Sequence, residues 1–138
     1  MFERDYDLKG KHASYVKYLV NNAKVFKRYI DVYMVGSVMG ILHGRKATKD
    51  SSVSDEASIF AGAFNTERLK CEFLYRLIML LDETPGLTEE QRVDRAFRVD
   101  DSMPDALKEN MDLFHSYVFG GIEVLYEKYE DCTTTDDI

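Results

Sequence analysis

The sequence predicts an all-α fold, a single-domain bundle of about five helices, two of them long. Three observations carry this. Apolar residues recur at three- and four-residue spacing along most of the chain. Only two prolines and eight glycines interrupt them. No stretch alternates polar and apolar residues long enough to demand a sheet, although YVKYLV alone has strand character. The 138 residues suit one core, and 45% hydrophobic with 31% charged residues is an ordinary globular balance. Tyr and Phe supply its bulk, since Trp is absent. The domain is expected over residues 1–130, with 131–138 as a disordered acidic tail.

The first helix begins near Lys9 or His12 and runs to about Asn22. Val16, Leu19 or Val20, Ala23 and Phe26 continue one face, so it joins the second helix or kinks at Asn21-Asn22. The second helix covers about Ala23 to His43. Gly44 stops it, with Arg45 and Lys46 at the negative end of its dipole. KATKDSSVS, residues 46–54, is a polar loop. Ser54 then reads as the N-cap of a third helix, with Asp55 and Glu56 in its first turn. Phe60, Phe64, Cys71, Leu74, Ile78 and Leu81 lie close to one stripe, with a possible break near Asn65-Thr66. Pro85-Gly86 ends that helix. Thr88 and Gln91 form a capping box for a short fourth helix ending near Arg98. Ser102, Pro104 and Asp105 open a long fifth helix to about Tyr129, with a seam of Leu107, Met111, Phe114, Val118, Gly121 or Ile122, Leu125 and Tyr129.

Val32 to Leu42 is the longest apolar run, well short of the roughly 20 residues a membrane span needs. It contains Gly36 and Gly40, four apart and so on one helix face. Glycine inside a helix costs about 1 kcal/mol relative to Ala. A close neighbouring backbone would explain that cost, and the fifth helix carries its own pair, Gly120-Gly121. The two helices are therefore expected to cross at these glycines, within the subunit or across a dimer.

MFERDYDLKGKH lacks the apolar core of a secretory signal. Cys71 and Cys132 are too few for a disulfide framework and read as free thiols in a reducing cytoplasm. The net charge is -7, but residues 1–50 carry ten Lys/Arg against five Asp/Glu, and residues 51–138 carry eight against twenty. Lys9, Lys11, His12, Lys27, Arg28, Arg45 and Lys46 are candidate phosphate contacts, with Tyr15, Tyr18 and Tyr29 as possible stacking partners. Against this, the acidic sequence pI near 4.9 argues against a dedicated nucleic-acid module.

No catalytic constellation emerges. Asp112 and His115, three apart, are one half of a di-iron-type motif whose second copy is missing, and they read as a surface pair. No P-loop and no nucleophile elbow occurs. No metal or cofactor is expected. Asp31 and Arg76 sit among apolar residues, so Asp31, Glu72 and Arg76 are candidates for buried ion pairs that fix helix register.

YDLKGKHASYVKYL, VFKRYIDVYMVGSVMG and GRK, over residues 6–50, resemble small accessory proteins of bacterial DNA phosphorothioation (Dnd-type) modification and restriction systems. The shared residues are Lys9, Lys11, His12, Phe26, Lys27, Asp31, Val32, Gly40, Arg45 and Lys46. Gly36-Ser37 departs from the alanines of that pattern, and the acidic second half has no counterpart in it. The resemblance implies a cytoplasmic protein serving DNA modification or anti-phage defence, and carries over no catalytic residue. Three functions follow in order: a non-enzymatic adaptor subunit with a protein partner or a second copy of itself, a nucleic-acid binder using the basic third, and a helical metalloprotein or enzyme using Asp112, His115 and Glu72.

Overall fold

The computed structural model describes residues 1–131; the predicted tail and Cys132 fall outside them, except for Asp131. The chain runs β1 (Tyr6–Lys9), α1 (Gly10–Lys17), a π-helical turn (Tyr18–Asn22), α2 (Tyr29–Leu42), β2 (Glu56–Ile59), α3 (Ala61–Thr66), α4 (Arg68–Leu81), α5 (Glu89–Phe97) and α6 (Pro104–Tyr129). It is mostly helical, and the all-α expectation is corrected by a two-stranded antiparallel sheet pairing Tyr6 with Ile59 and Lys9 with Glu56. Each strand has four residues, too few for a two-residue period to stand out from helical spacing.

The sheet displaces the predicted start of the third helix. Asp55 does not open a helix. Its carboxylate takes hydrogen bonds from Ser14 (2.7 Å) and Lys17 (2.6 Å), so it ties β2 to α1. The backbone N–H of Ala61, at the start of α3, donates instead to Asp5 (2.7 Å). The third helix breaks at Glu67, giving α3 and α4. Phe60 and Leu81, expected on the buried stripe, are exposed, and the buried face of α4 is Cys71, Tyr75, Ile78 and Met79.

The first two predicted helices are also separate. Lys24 takes a left-handed φ of 57°, and α2 restarts only at Tyr29. Asp31 accepts the backbone N–H of Arg28 at that start (3.1 Å), and its side chain pairs with the Arg28 guanidinium (2.7 Å). Gly44, with φ +58°, reverses the chain after α2. There the Arg45 N–H returns to the Gly40 carbonyl at 2.9 Å, a left-handed helix stop. The Thr88–Gln91 capping box starts α5, with the Gln91 N–H donating to Thr88 at 3.1 Å and the Thr88 N–H to Gln91 at 2.9 Å.

The most extensive packing in the molecule joins α2 to α6. A methyl added at Gly121 would fall on the Gly36 carbonyl oxygen and 2.8 Å from the Gly40 nitrogen. One at Gly40 would fall on the Tyr117 carbonyl. One at Gly120 would meet the Arg45 carbonyl and come 3.0 Å from the Lys46 nitrogen. Gly121 thus admits α2 itself, and Gly120 admits the chain leaving α2, which the Ala47 N–H fixes by donating to the Ser116 carbonyl at 2.9 Å. Beside this seam Phe2, Tyr33, Phe64, Tyr75 and Phe114 form an aromatic core of edge-on and stacked rings. No helix among the described residues is long and apolar enough to cross a membrane.

Candidate interaction surface

Helix α2 has few polar side chains on any side: Ile30, Val32, Tyr33, Gly36, Ser37 and Gly40 are its buried residues, and its outer face is aliphatic. Packing on α6 and α4 leaves an outer strip uncovered. Met34, Val35 and Val38 from α2 and Leu69, Phe73 and Leu74 from α4 line an open groove of about 420 Å³, and among the described residues Lys70 is its one charged wall. Leu69 is 77% exposed and Phe73 63%. These two lie four apart on α4, so they form a ridge on one helix face. Phe97 of α5 is also exposed, and lies under the Arg76 guanidinium 5.8 Å from its ring centre. Scattered exposed apolar residues need no explanation, but a contiguous groove of them does.

The polar residues nearby are engaged elsewhere. Arg28 reaches Glu67 (3.4 Å) besides Asp31, and Lys70 reaches Glu67 (3.2 Å). Glu72 and Arg76 form an i,i+4 pair at 3.7 Å on a partly exposed face, and Asp31 is likewise partly exposed. The expectation of buried ion pairs at Asp31, Glu72 and Arg76 is thus corrected: all three are at the surface, where such pairs contribute little.

The buried pair is one the sequence did not mark. Asp82, 2% exposed at the end of α4, lies 3.5 Å from Arg95 of α5 and accepts hydrogen bonds from Thr84 and Tyr117. Burial raises its pKa, but the hydroxyl and amide donors and the guanidinium outweigh that and hold it below the usual carboxylate range. Arg95 also donates to the Met79 carbonyl at 2.7 Å, closing the C-terminus of α4. In the sequence Asp82 sits in DETPG and reads as a turn residue.

The basic third is largely neutralised from within. Arg45 makes a forked pair with Glu127 (2.9 and 2.6 Å) and a further bond to Glu123 (2.9 Å). Lys11 approaches Glu123 at 3.5 Å. His12 is not a surface cation: it is 1% exposed, stacked on Phe119, with Nε2 2.9 Å from Glu123. Its burial depresses its pKa despite Glu123. The acidic half of the chain thus folds back on the basic half along α6. Among the described residues Lys9, Lys27 and Lys46 form no ion pair within 4.0 Å, and Lys46 is set over the Tyr117 ring.

Asp112 and His115 do not form a surface pair. Asp112 bonds Lys108 (2.7 Å), while His115 stacks on Tyr6 at 4.2 Å and meets the Tyr33 hydroxyl at 2.8 Å. Burial pushes the His115 pKa down to about 3. No three His, Cys, Asp or Glu side chains among the described residues come together as metal ligands. The Cys71 thiol is buried, and burial with the nearby Glu67 and Glu72 pushes it up to about 12, far from a reactive thiolate.

The exposed apolar residues of α2 and α4 did leave a trace in the sequence. Leu69 and Phe73 fall off the Cys71–Leu74–Ile78 stripe, and α2 has no polar face. That signal is ambiguous until the neighbours are known. No protein-family model, curated protein or solved structure matches the chain.

Proposed function

We propose that this protein is a non-enzymatic adaptor subunit that holds an amphipathic helix of a partner protein in the α2–α4 groove. The groove itself carries this reading: two helices present Val35, Leu69 and Phe73 to solvent beside the half-buried Val38, with almost no polar wall. A third helix laid between them buries its apolar face in the way helix-in-groove partners do. The described titratable clusters support a scaffold more than a reaction centre, because Asp82, Glu123 and Arg45 are each saturated by internal partners. Following the resemblance of residues 6–50, the partner belongs to a bacterial DNA modification or defence system.

The test co-expresses the chain with the proteins encoded beside it and compares wild type with Phe73→Glu and Val38→Glu. Retention of a stoichiometric partner by wild type, lost in both variants while their circular dichroism is unchanged, is the expected result. Retention unaffected by either substitution overturns the groove as the site. Self-association lost in the same variants would replace the partner helix by a second copy. Salt-sensitive DNA binding that survives Phe73→Glu and fails with Lys9→Ala and Lys46→Ala would move the function to the basic third.

A further inference from the structure

The α2–α4 groove has two unlike ends. Arg28, at the N-terminal boundary of α2, reaches Glu67, at the N-terminal boundary of α4, at 3.4 Å. Val38 and Leu74, well inside the two helices, line the same groove. Both helices therefore run the same way from that end. Helical spacing carries each wall onward. On α2, Val35 and Val38 lead to Leu42, and on α4, Lys70 and Leu74 lead to Leu81. Both leucines are exposed, so the far end of the groove is apolar.

The near end is charged. Arg28 pairs with Asp31 at 2.7 Å and with Glu67, and Lys70 pairs with Glu67 at 3.2 Å. The charges balance in number but not in depth. Glu67 lies beneath, 11% exposed, while Lys70 stands 72% exposed above it, and Arg28 is likewise more exposed than Asp31. A guanidinium has five N–H donors and an ammonium three, more than these contacts use. The N-terminus of α4, with no acidic residue in its first turn, adds partial positive charge at the same place. At the other end of α4 the Met79 carbonyl is already taken by Arg95, at 2.7 Å.

We infer that the groove takes a helix running antiparallel to α2 and α4, with carboxylates in its last turns over Arg28 and Lys70 and an apolar first turn over Leu42 and Leu81. This rests on the groove being a helix site and adds the direction and charge of its occupant. An acidic C-terminal end brings both its carboxylates and the negative end of its dipole to the two cations. A helix laid the other way sets its positive end against them, so the groove disfavours one orientation as well as favouring the other.

The test uses two synthetic peptides with the same leucine stripe and the same composition, both held helical by a hydrocarbon staple. One carries its glutamates in the last two turns, the other in the first two. Affinities for the whole protein are measured by fluorescence anisotropy at low salt, for wild type, Lys70→Glu and Phe73→Glu. Wild type should bind the C-terminally acidic peptide about fivefold more tightly, the scale of one or two exposed ion pairs. Lys70→Glu should abolish or reverse that preference with circular dichroism unchanged, since this side chain stands largely in water. A nitroxide on the C-terminal end of the bound peptide should broaden the Lys70 amide resonance more than that of Leu81. Equal affinities, the opposite preference, a preference that survives Lys70→Glu, or stronger broadening at Leu81 overturns the inference and leaves the groove as a helix site. Binding of neither peptide, or binding unaffected by Phe73→Glu, overturns the groove reading and the inference with it.

Discussion

The two faces of α2 obey opposite rules. Its inner face meets α6 through Gly36 and Gly40: a methyl at Gly40 would fall on the Tyr117 carbonyl, and one at Gly36 would come to 3.2 Å from the Val118 carbonyl. Its outer face carries Val35 and Val38 into an open groove, where large side chains stand in water beside Leu69 and Phe73. The inner face is closed by removing side chains, which fixes one neighbour at one distance. The outer face keeps its side chains and has no neighbour in the described chain. A helix built this way closes the core on one side and leaves apolar side chains uncovered on the other.

The sharpest way to break this contrast is Gly121→Ala. Alanine should gain about 1 kcal/mol of helix propensity. Its methyl, however, falls on the Gly36 carbonyl, and backbone yields less than a side chain. Denaturant unfolding should show a net loss at or beyond the upper end of the ~1–3 kcal/mol found for overpacking. Gly36→Ala, whose nearest atom would be 3.2 Å away, should be close to neutral, and Gly62→Ala, with open space around it, should be neutral or stabilising. Equal effects at Gly121 and Gly62 would dissolve the inner rule.

Next in size is Asp82→Asn. It keeps the shape but removes the charge that Arg95 and the Tyr117 hydroxyl address, and Tyr117 is the residue whose carbonyl faces Gly40. A loss of about 2 kcal/mol is expected by urea unfolding. Because the Asp82 carboxyl is held low in the folded state, its contribution should be present above the unfolded carboxylate pKa and vanish as pH falls through the folded value.

Acid should act on the inner side in two windows. His115 folds with a pKa near 3, against an ordinary value of 6.5, so the unfolded chain binds the extra proton first. Stability should therefore fall as soon as pH drops below about 6.5, before the carboxylates titrate. His12, also depressed, contributes in the same direction. His115→Gln should flatten part of the slope between pH 6.5 and 5 in a series of denaturation midpoints. An unchanged slope would show that the ring is accessible when folded.

The smallest expected effect is on the outer face. Phe73→Glu should change the stability of the isolated chain by no more than about 0.5 kcal/mol, because an exposed ring leaves little contact behind. A large loss by thermal unfolding would mean that the groove closes in solution and that the two faces are not opposites.

Local signals are legible in the sequence where a few neighbouring residues suffice. The Thr88–Gln91 capping box, the Pro104 start and the Gly44 stop each work through bonds spanning three to five residues. The strands are not legible in the sequence, because four residues of YDLK or EASI acquire strand character only by pairing with each other across about fifty positions. His12 and Arg45 read as free cations because the carboxylates that engage them, Glu123 and Glu127, lie about eighty to a hundred and ten residues away.

By itself the sequence determined that this chain is chiefly helical and that Gly36, Gly40, Gly120 and Gly121 had to be compensated. Periodicity and the cost of helical glycine are local properties, present before any fold exists. Only the tertiary structure decided which charges are spent, that Asp82 rather than Asp31 is the buried carboxylate, and which apolar side chains remain uncovered. Those outcomes depend on distances between elements far apart in the chain. Burial is a property of neighbours, and no residue carries it alone.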